Sequence, residues 1–319
     1  MEEPSPSEPV LVEVTRSGMT ESRHRGSVVA LDADGSVALA LGDVDSPVYG
    51  RSANKPLQAA AMVELGLDVA PHLLALVCAS HNGEPVHVEG VRRLLAGAGL
   101  DASALRNTPS LPLYEPAAAD VLRAGGGKER ILQNCSGKHA GMIATCVING
   151  WPTETYQQPD HPLQQTISGV IASLTGEGIG HVGVDGCGAP AHAVSLTALA
   201  RGFAAVATAP AGTTPGSVRA AMTAHPDLVG GTGRDVTALM ASVSGLVAKD
   251  GAEGVLAAAL PDGRAVAVKL SDGSWRGFAA VVLAALDRLG ADTAGAAALR
   301  SSAVLGGGRP VGEARAVLP

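Results

Sequence analysis

The chain has 319 residues, 46% hydrophobic but only 2% aromatic, and a formal net charge of −7. That length can bury a large core, as one big domain or two moderate ones, and the core must be built from Ala, Val and Leu. The negative charge and the absence of any Lys/Arg cluster argue against nucleic acid or an anionic membrane surface as the partner, and no stretch is apolar for long enough to span a bilayer.

Residues 1–9 are rich in Glu, Pro and Ser and lack the basic and apolar regions of a signal peptide. They read as a short disordered tail, and a cytoplasmic location is expected. Cys78, Cys135, Cys146 and Cys187 then point to thiols or metal ligands rather than disulfides. Residues 10–15 and 27–31 are β-branched runs, and Asp32-Ala33-Asp34-Gly35 is a turn before a third strand over 36–41. From Ser52 to about Leu199 the pattern becomes Ala/Leu-rich and mainly helical, with helices predicted over 57–65, 73–78, 86–98, 117–124, 139–149, 162–175 and 191–205. Shorter helices are predicted over 217–223 and 235–242. A second hairpin pairs 254–260 with 264–270 across Pro261-Asp262-Gly263, and a helix from about Trp275 to Leu289 follows. This order predicts an α+β fold over residues 10–319 as a single catalytic domain. Strands from 10–50 and about 243–319 form one antiparallel sheet, about 51–242 form an inserted helical subdomain, and the active site lies in the cleft between them.

Three short motifs sit at informative places. Ser52 and Lys55 stand three residues apart where a loop turns into a helix, and Pro56 fits only near that first turn. A neutral Lys beside a Ser can take its proton and make it a nucleophile. Ser80-His81-Asn82 follows an apolar helix and has the form Ser-x-Asn; Lys249-Asp250-Gly251 stands immediately before the strand at Gly254 and has the form Lys-x-Gly. Taken singly, each also reads as ordinary structure: a helix N-cap, an Asx or ST turn, a β-turn with a solvated lysine. Their order, and the placing of strands around helices, is that of serine β-lactamases, penicillin-binding proteins and β-lactamase-like glutaminases.

Longer motifs narrow the comparison. Arg51-Ser-x-x-Lys-Pro56-x-Gln58, Ala79-Ser-His-Asn-Gly-Glu84, Asn134-Cys-Ser-Gly-Lys-His-Ala-Gly-Met142 and Val184-Asp-Gly-Cys-Gly-Ala-Pro190 resemble those of the rhizobial-type (class 3) L-asparaginases, the asparaginase II family. The resemblance covers the chain from about Val10 onward. It implies a serine β-lactamase-like fold, hydrolysis of L-asparagine to L-aspartate and ammonia, and a homodimer. It implies Ser52 as nucleophile with Lys55 as base, and Ser80 as a second serine whose partner is a late lysine, Lys249 by motif, with Lys269 as rival. It also implies a zinc site at Cys135, Lys138 and Cys187, with His139 and Asp185 beside it. Physically, two thiolates suit zinc, whereas a lysine ligand must first lose its proton. From the residues alone, Cys135 and Cys187 could equally be a disulfide or two core thiols.

Substrate carboxylate and amine need anchors, for which Arg51, His81, Asn82 and Arg234 are candidates, Arg234 being equally readable as a surface ion pair. Three other readings share parts of the pattern. A glutaminase or other amidase differs only in pocket length. A β-lactam hydrolase or peptidase shares the Ser-Lys logic, and a non-enzymatic zinc-dependent amino-acid-binding protein would keep the thiols but need neither serine.

Overall fold

A computed structural model describes residues 8–318 of the chain. β-Branched and alternating residues form β1 (Val10–Arg16) and the long β2 (Met19–Leu31), joined at Ser17-Gly18, both with positive φ. The turn closed by Gly35 leads into β3 (Val37–Leu41), and β4 (Val48–Tyr49) follows. A short 3₁₀ turn, Arg51–Asn54, then runs directly into α1 (Lys55–Glu64).

The helical part continues with α2 (Pro71–Val77), α3 (Pro85–Gly97), α4 (Glu115–Arg123), α5 (Ser136–Ile148) and α6 (Pro162–Thr175). Proline at the first turn opens several of these, and the left-handed Gly176 stops α6. Next come β5 (His181–Val184), β6 (Pro190–Val194), α7 (Leu196–Thr208), α8 (Thr214–Ala224), the single-turn α9 (Pro226–Val229) and α10 (Asp235–Ser242). The chain then returns to the sheet with β7 (Val247–Gly251), β8 (Val255–Ala259), β9 (Ala265–Leu270), α11 (Phe278–Arg288), β10 (Ser301–Gly306) and β11 (Arg309–Ala316).

The main sheet has the order β10-β11-β1-β2-β9-β8-β7, with β3 also paired to β2, and its strand pairs are antiparallel. N- and C-terminal strands therefore share one sheet, and the helices between them form the insertion, as the sequence predicts. Strand β8 is buried along its whole length because α7 and α11 cover the sheet's two faces, so it reads as a continuous apolar run rather than an alternation. Of the tail expected over residues 1–9, Glu8 and Pro9 are tied to the sheet: the Arg25 guanidinium donates to Glu8 O at 2.6 Å and Gly26 N–H to Pro9 O at 3.2 Å. Residues 1–7 lie outside the described part.

Three expectations need correction. The helix predicted over 191–205 is two elements: buried β6, paired with β4 and β5 in a small second sheet, and then α7, started by the Ser195 cap. Alanine-rich sequence favours helix, but here strand pairing prevails. Lys249-Asp250-Gly251 does stand just before a strand, β8, but it is not a turn: it is itself the end of a strand, β7, at the sheet edge. The last hairpin is also not followed only by a helix, because β10 and β11 return after α11 to complete the sheet beside β1.

Helix α5 approaches α2 closely at glycine. A Cβ on Gly137 would stand 2.3 Å from Leu76 O, and one on Gly141 would stand 2.8 Å from a Val77 methyl. Gly137→Ala must push α5 away from α2, and overpacking of this kind costs about 1–3 kcal/mol. The expected result is a lower urea midpoint with an unchanged m-value. Because α2 leads to Ser80 and α5 begins at Cys135, activity is expected to fall with it.

Candidate active site

Lys55 opens α1 and is 1% exposed. Its Nζ donates to Ala79 O at 2.5 Å, to Ser80 Oγ at 3.1 Å and to Cys135 Sγ at 3.2 Å. The lysine of the first motif is thus hydrogen-bonded to the serine of the second. Ser52, on the preceding 3₁₀ turn, is partly exposed, and its hydroxyl has no hydrogen-bond partner among the described residues. Ser80 is buried, on a loop whose backbone is pinned by Ser80 N–H to Val229 O and His81 N–H to Asn134 O.

Lys249 is fully buried on β7 and donates to Asp250 O at 2.6 Å and to Asp250 Oδ1. Burial, with Lys55 and Arg234 nearby, pulls its amine down to about 8 against the opposing pull of Asp250. The Asp250 carboxylate is held far below its ordinary range, burial being outweighed by Lys249 and Arg234. Lys269 is only partly buried and its amine is taken by Glu253 O and Leu270 O at 2.6 and 2.7 Å. Of the two late lysines, Lys249 is the fully buried one, and the one on which the nearby Lys55 acts.

Among the candidate anchors, His81 has neither ring nitrogen to spare. Its Nδ1 accepts from Gly83 N–H at 3.0 Å and its Nε2 meets Ser136 Oγ at 2.9 Å, while burial keeps it neutral. Asn82 donates to Thr232 O at 2.9 Å and to Glu84 at 3.3 Å, bracing the Gly230–Gly233 loop. Arg51 has a left-handed backbone, φ +49°, and its side chain reaches Asp185 with contacts of 2.8 and 2.9 Å. Arg234 is not a surface ion pair: its side chain is 15% exposed, donates to Asp250 Oδ2 and to Ser80 O at 3.4 Å, and lies 5.4 Å from the Trp275 ring centroid.

Cys135 caps α5 and Lys138 follows in its first turn. Cys187 stands in the loop between β5 and β6, where Gly188 takes φ +88°. This brings Lys138 Nζ to 3.2 Å from Cys187 Sγ, while Cys135 Sγ donates to Asn134 Oδ1 at 3.0 Å. All four cysteines are free and buried. The adjacent Cys135 and the nearby Lys138 lower the Cys187 thiol, while Cys187 and burial raise that of Cys135. His139 stands behind, with Nδ1 at 2.6 Å from Tyr156 Oη, and burial keeps it neutral. Among the described residues no three His, Cys, Asp or Glu side chains cluster closely enough to hold a metal. A third donor at the two thiols would therefore be the Lys138 amine.

Sequence reasoning missed two members of this constellation. Asp250 bridges Lys249 and Arg234, whereas neighbours on a strand normally point to opposite faces, so nothing in the spacing predicts that pair. Trp275 covers Arg234 from the segment before α11; its rarity, two tryptophans in the chain, was the only available signal.

Residues 12–316 match the family described as L-asparaginase II. No curated protein matches the chain. Among solved structures, the chain is similar to a β-lactamase from Mycobacterium bovis, at 17% identity and a TM-score of 0.46 over 83% of this chain and 94% of that one. It is similar to Mglu in its glutamate form, at 16% identity and a TM-score of 0.44 over 83% of this chain and 61% of that one. It is also similar to EstCE1, a hydrolase with promiscuous acyltransferase activity, at 13% identity and a TM-score of 0.44 over 83% and 93%. A family match that runs from the first strand to the last, and takes in every residue of the lysine, serine and thiol cluster, places this chain in the L-asparaginase II family of amidohydrolases.

Proposed function

We propose that the protein hydrolyses L-asparagine to L-aspartate and ammonia through an acyl-enzyme on Ser52. The observation that carries this reading is the buried Lys55 amine, within hydrogen-bond distance of Ser80 Oγ and one turn from a serine whose hydroxyl is uncommitted. Ser52 is the better nucleophile of the two because it is open to substrate, while Ser80 is 4% exposed and already engaged. Lys55 takes the Ser52 proton as Oγ attacks the side-chain amide carbon. The ammonium so formed has its acceptors in place, Ser80 Oγ and Ala79 O. Lys55 then returns the proton to the leaving amine, the C–N bond breaks, and ammonia departs. Water attacks the ester with Lys55 again as base; the ester C–O bond breaks, Lys55 returns the proton to Ser52 Oγ, and L-aspartate leaves. Lys249, buried on β7 in the Lys-x-Gly position, supplies positive charge near the substrate.

We further infer a zinc ion held by Cys135, Cys187 and Lys138. Two soft sulfurs and an amine converging between the first turn of α5 and the Cys187 loop fit that ion. When bound, it supplies positive charge that neutralises the thiolates and orients substrate. The chain's own part is to brace the loop, through Arg51 to Asp185, Thr108 Oγ1 to Gly186 O at 2.9 Å and Gln157 to Cys187 O at 3.0 Å.

Ammonia release from asparagine by wild type, with Ser52→Ala lower by on the order of 10³-fold or more, is expected. If Ser80→Ala were silent-to-mild in Ser52→Ala's place, the order would hold; if Ser52→Ala kept activity and Ser80→Ala lost it, the nucleophile would be Ser80. Glutamine run in parallel decides between asparaginase and glutaminase. The pH profile of kcat/KM is expected to fall through a limb near 8 as Lys249 loses its proton and with it the positive charge it supplies. Asp250→Asn removes the carboxylate that holds that proton, so the limb moves to lower pH. Metal analysis should find about one zinc per chain in wild type and none in Cys187→Ser, and a metal-free active enzyme would refute the zinc site.

A further inference from the structure

A cavity of about 390 Å³ opens beside the lysine cluster, with Asn82, Tyr114, Thr232, Arg234, Asp250 and Trp275 on its wall. Its wall is joined to the reacting groups by chain connection and, through Arg234 to Ser80 O at 3.4 Å, by a hydrogen bond. Asp250 stands between Lys249 and Gly251, and a Cβ on Gly251 would lie 2.6 Å from Gly50 O and 3.2 Å from Ala53 N, the turn that carries Ser52. Asn82 is two residues from Ser80. The cavity wall thus carries one residue from each of the Ser-x-Asn and Lys-x-Gly motifs, Asn82 and Asp250.

Arg234 is the one guanidinium on this wall, and three things fix it. Trp275 lies over it, Asp250 Oδ2 and Ser80 O accept from its two terminal nitrogens, and its backbone leaves a braced loop. In that loop Thr232 Oγ1 and N–H donate to Glu84 at 2.6 and 3.1 Å, and Gly231 N–H donates to Thr237 Oγ1 at 3.1 Å. Asp250 does not use up the guanidinium, because its other oxygen is committed to Lys249. Nε of Arg234 has no partner among the described residues. A planar fork with unused donors, desolvated but reached from a cavity, is built for a carboxylate.

We propose that Arg234 anchors the α-carboxylate of the amino-acid amide substrate, with Asp250 and Trp275 as positioning residues that hold the fork open toward the cavity. This rests on the amidohydrolase reading above and adds what selects the substrate: an amide that carries a carboxylate at its far end. Asp250 then joins the two ends of the reaction, since one oxygen holds the anchor and the other holds Lys249.

The test compares asparagine with 3-aminopropanamide, which is asparagine without its α-carboxylate. Wild type is expected to prefer asparagine in kcat/KM by about 10²-fold or more. In Arg234→Gln that preference collapses toward one, chiefly through KM for asparagine, with Arg234→Lys intermediate because it keeps charge without the fork. Trp275→Ala lowers the preference and Trp275→Phe restores it. If both substrates fall together and the preference survives, Arg234 is a structural ion pair and the proposal is overturned. Calorimetric binding of L-aspartate and β-alanine to the same proteins judges the anchor without turnover. A wild type that releases no ammonia from asparagine refutes the catalytic reading, yet loss of aspartate-over-β-alanine preference in Arg234→Gln would still sustain the anchor, and unchanged preference would remove it.

Discussion

Three lysines, Lys55, Lys138 and Lys249, are each 1% exposed or less, and the arrangement around them follows from that burial. A desolvated amine without partners costs several kcal/mol, so each must be met by acceptors or lose its proton. Lys55 is met by a carbonyl, a serine and a thiol, Lys138 by a thiol that burial alone would keep protonated, and Lys249 by the buried carboxylate of Asp250 beside it. The elements that deliver these acceptors are α2, α5, the β5–β6 loop and β7. None of them could shift without leaving an amine unpaired.

The same logic explains why the charges are arranged in series rather than in isolated pairs. Asp250 serves Lys249 and Arg234 together, and Asp185 serves Arg51 while lying close enough to Lys138 to lower its own carboxyl further. A shared carboxylate gives each cation less than a full partner. That leaves amines and guanidinium N–H groups able to exchange partners when a substrate arrives, which a fully paired network would resist.

Much of the scaffold was legible in the sequence. The turns at Gly35 and Gly263, both with positive φ, and the helices at Pro162–Thr175 and Asp235–Ser242 stand where composition and turn chemistry put them. What was hidden has a common cause. β6 and β7 are short, buried on every residue and rich in alanine or in charged residues, so neither alternation nor β-propensity marks them; only pairing with strands far along the chain does. β10 and β11 escape for the opposite reason, being largely exposed. At the site, motif spacing joined Lys55 to Ser52 within one helical turn, but the hydrogen bond goes to Ser80, 25 residues away, because α2 returns the chain over the start of α1. Distances of that kind are properties of packing and have no local signature.

Arg51 ties two parts of the molecule that the chain separates by more than a hundred residues. Its backbone is strained into the left-handed region immediately before Ser52, and its guanidinium holds Asp185, two residues from Cys187. The serine turn and the thiol loop are thereby one mechanical unit. Oxidation of either thiol, or exchange of whatever sits between them, would be felt at the serine as a change of backbone geometry. An assay that lost activity on such treatment would report on the scaffold, and would say nothing by itself about which group touches the scissile bond.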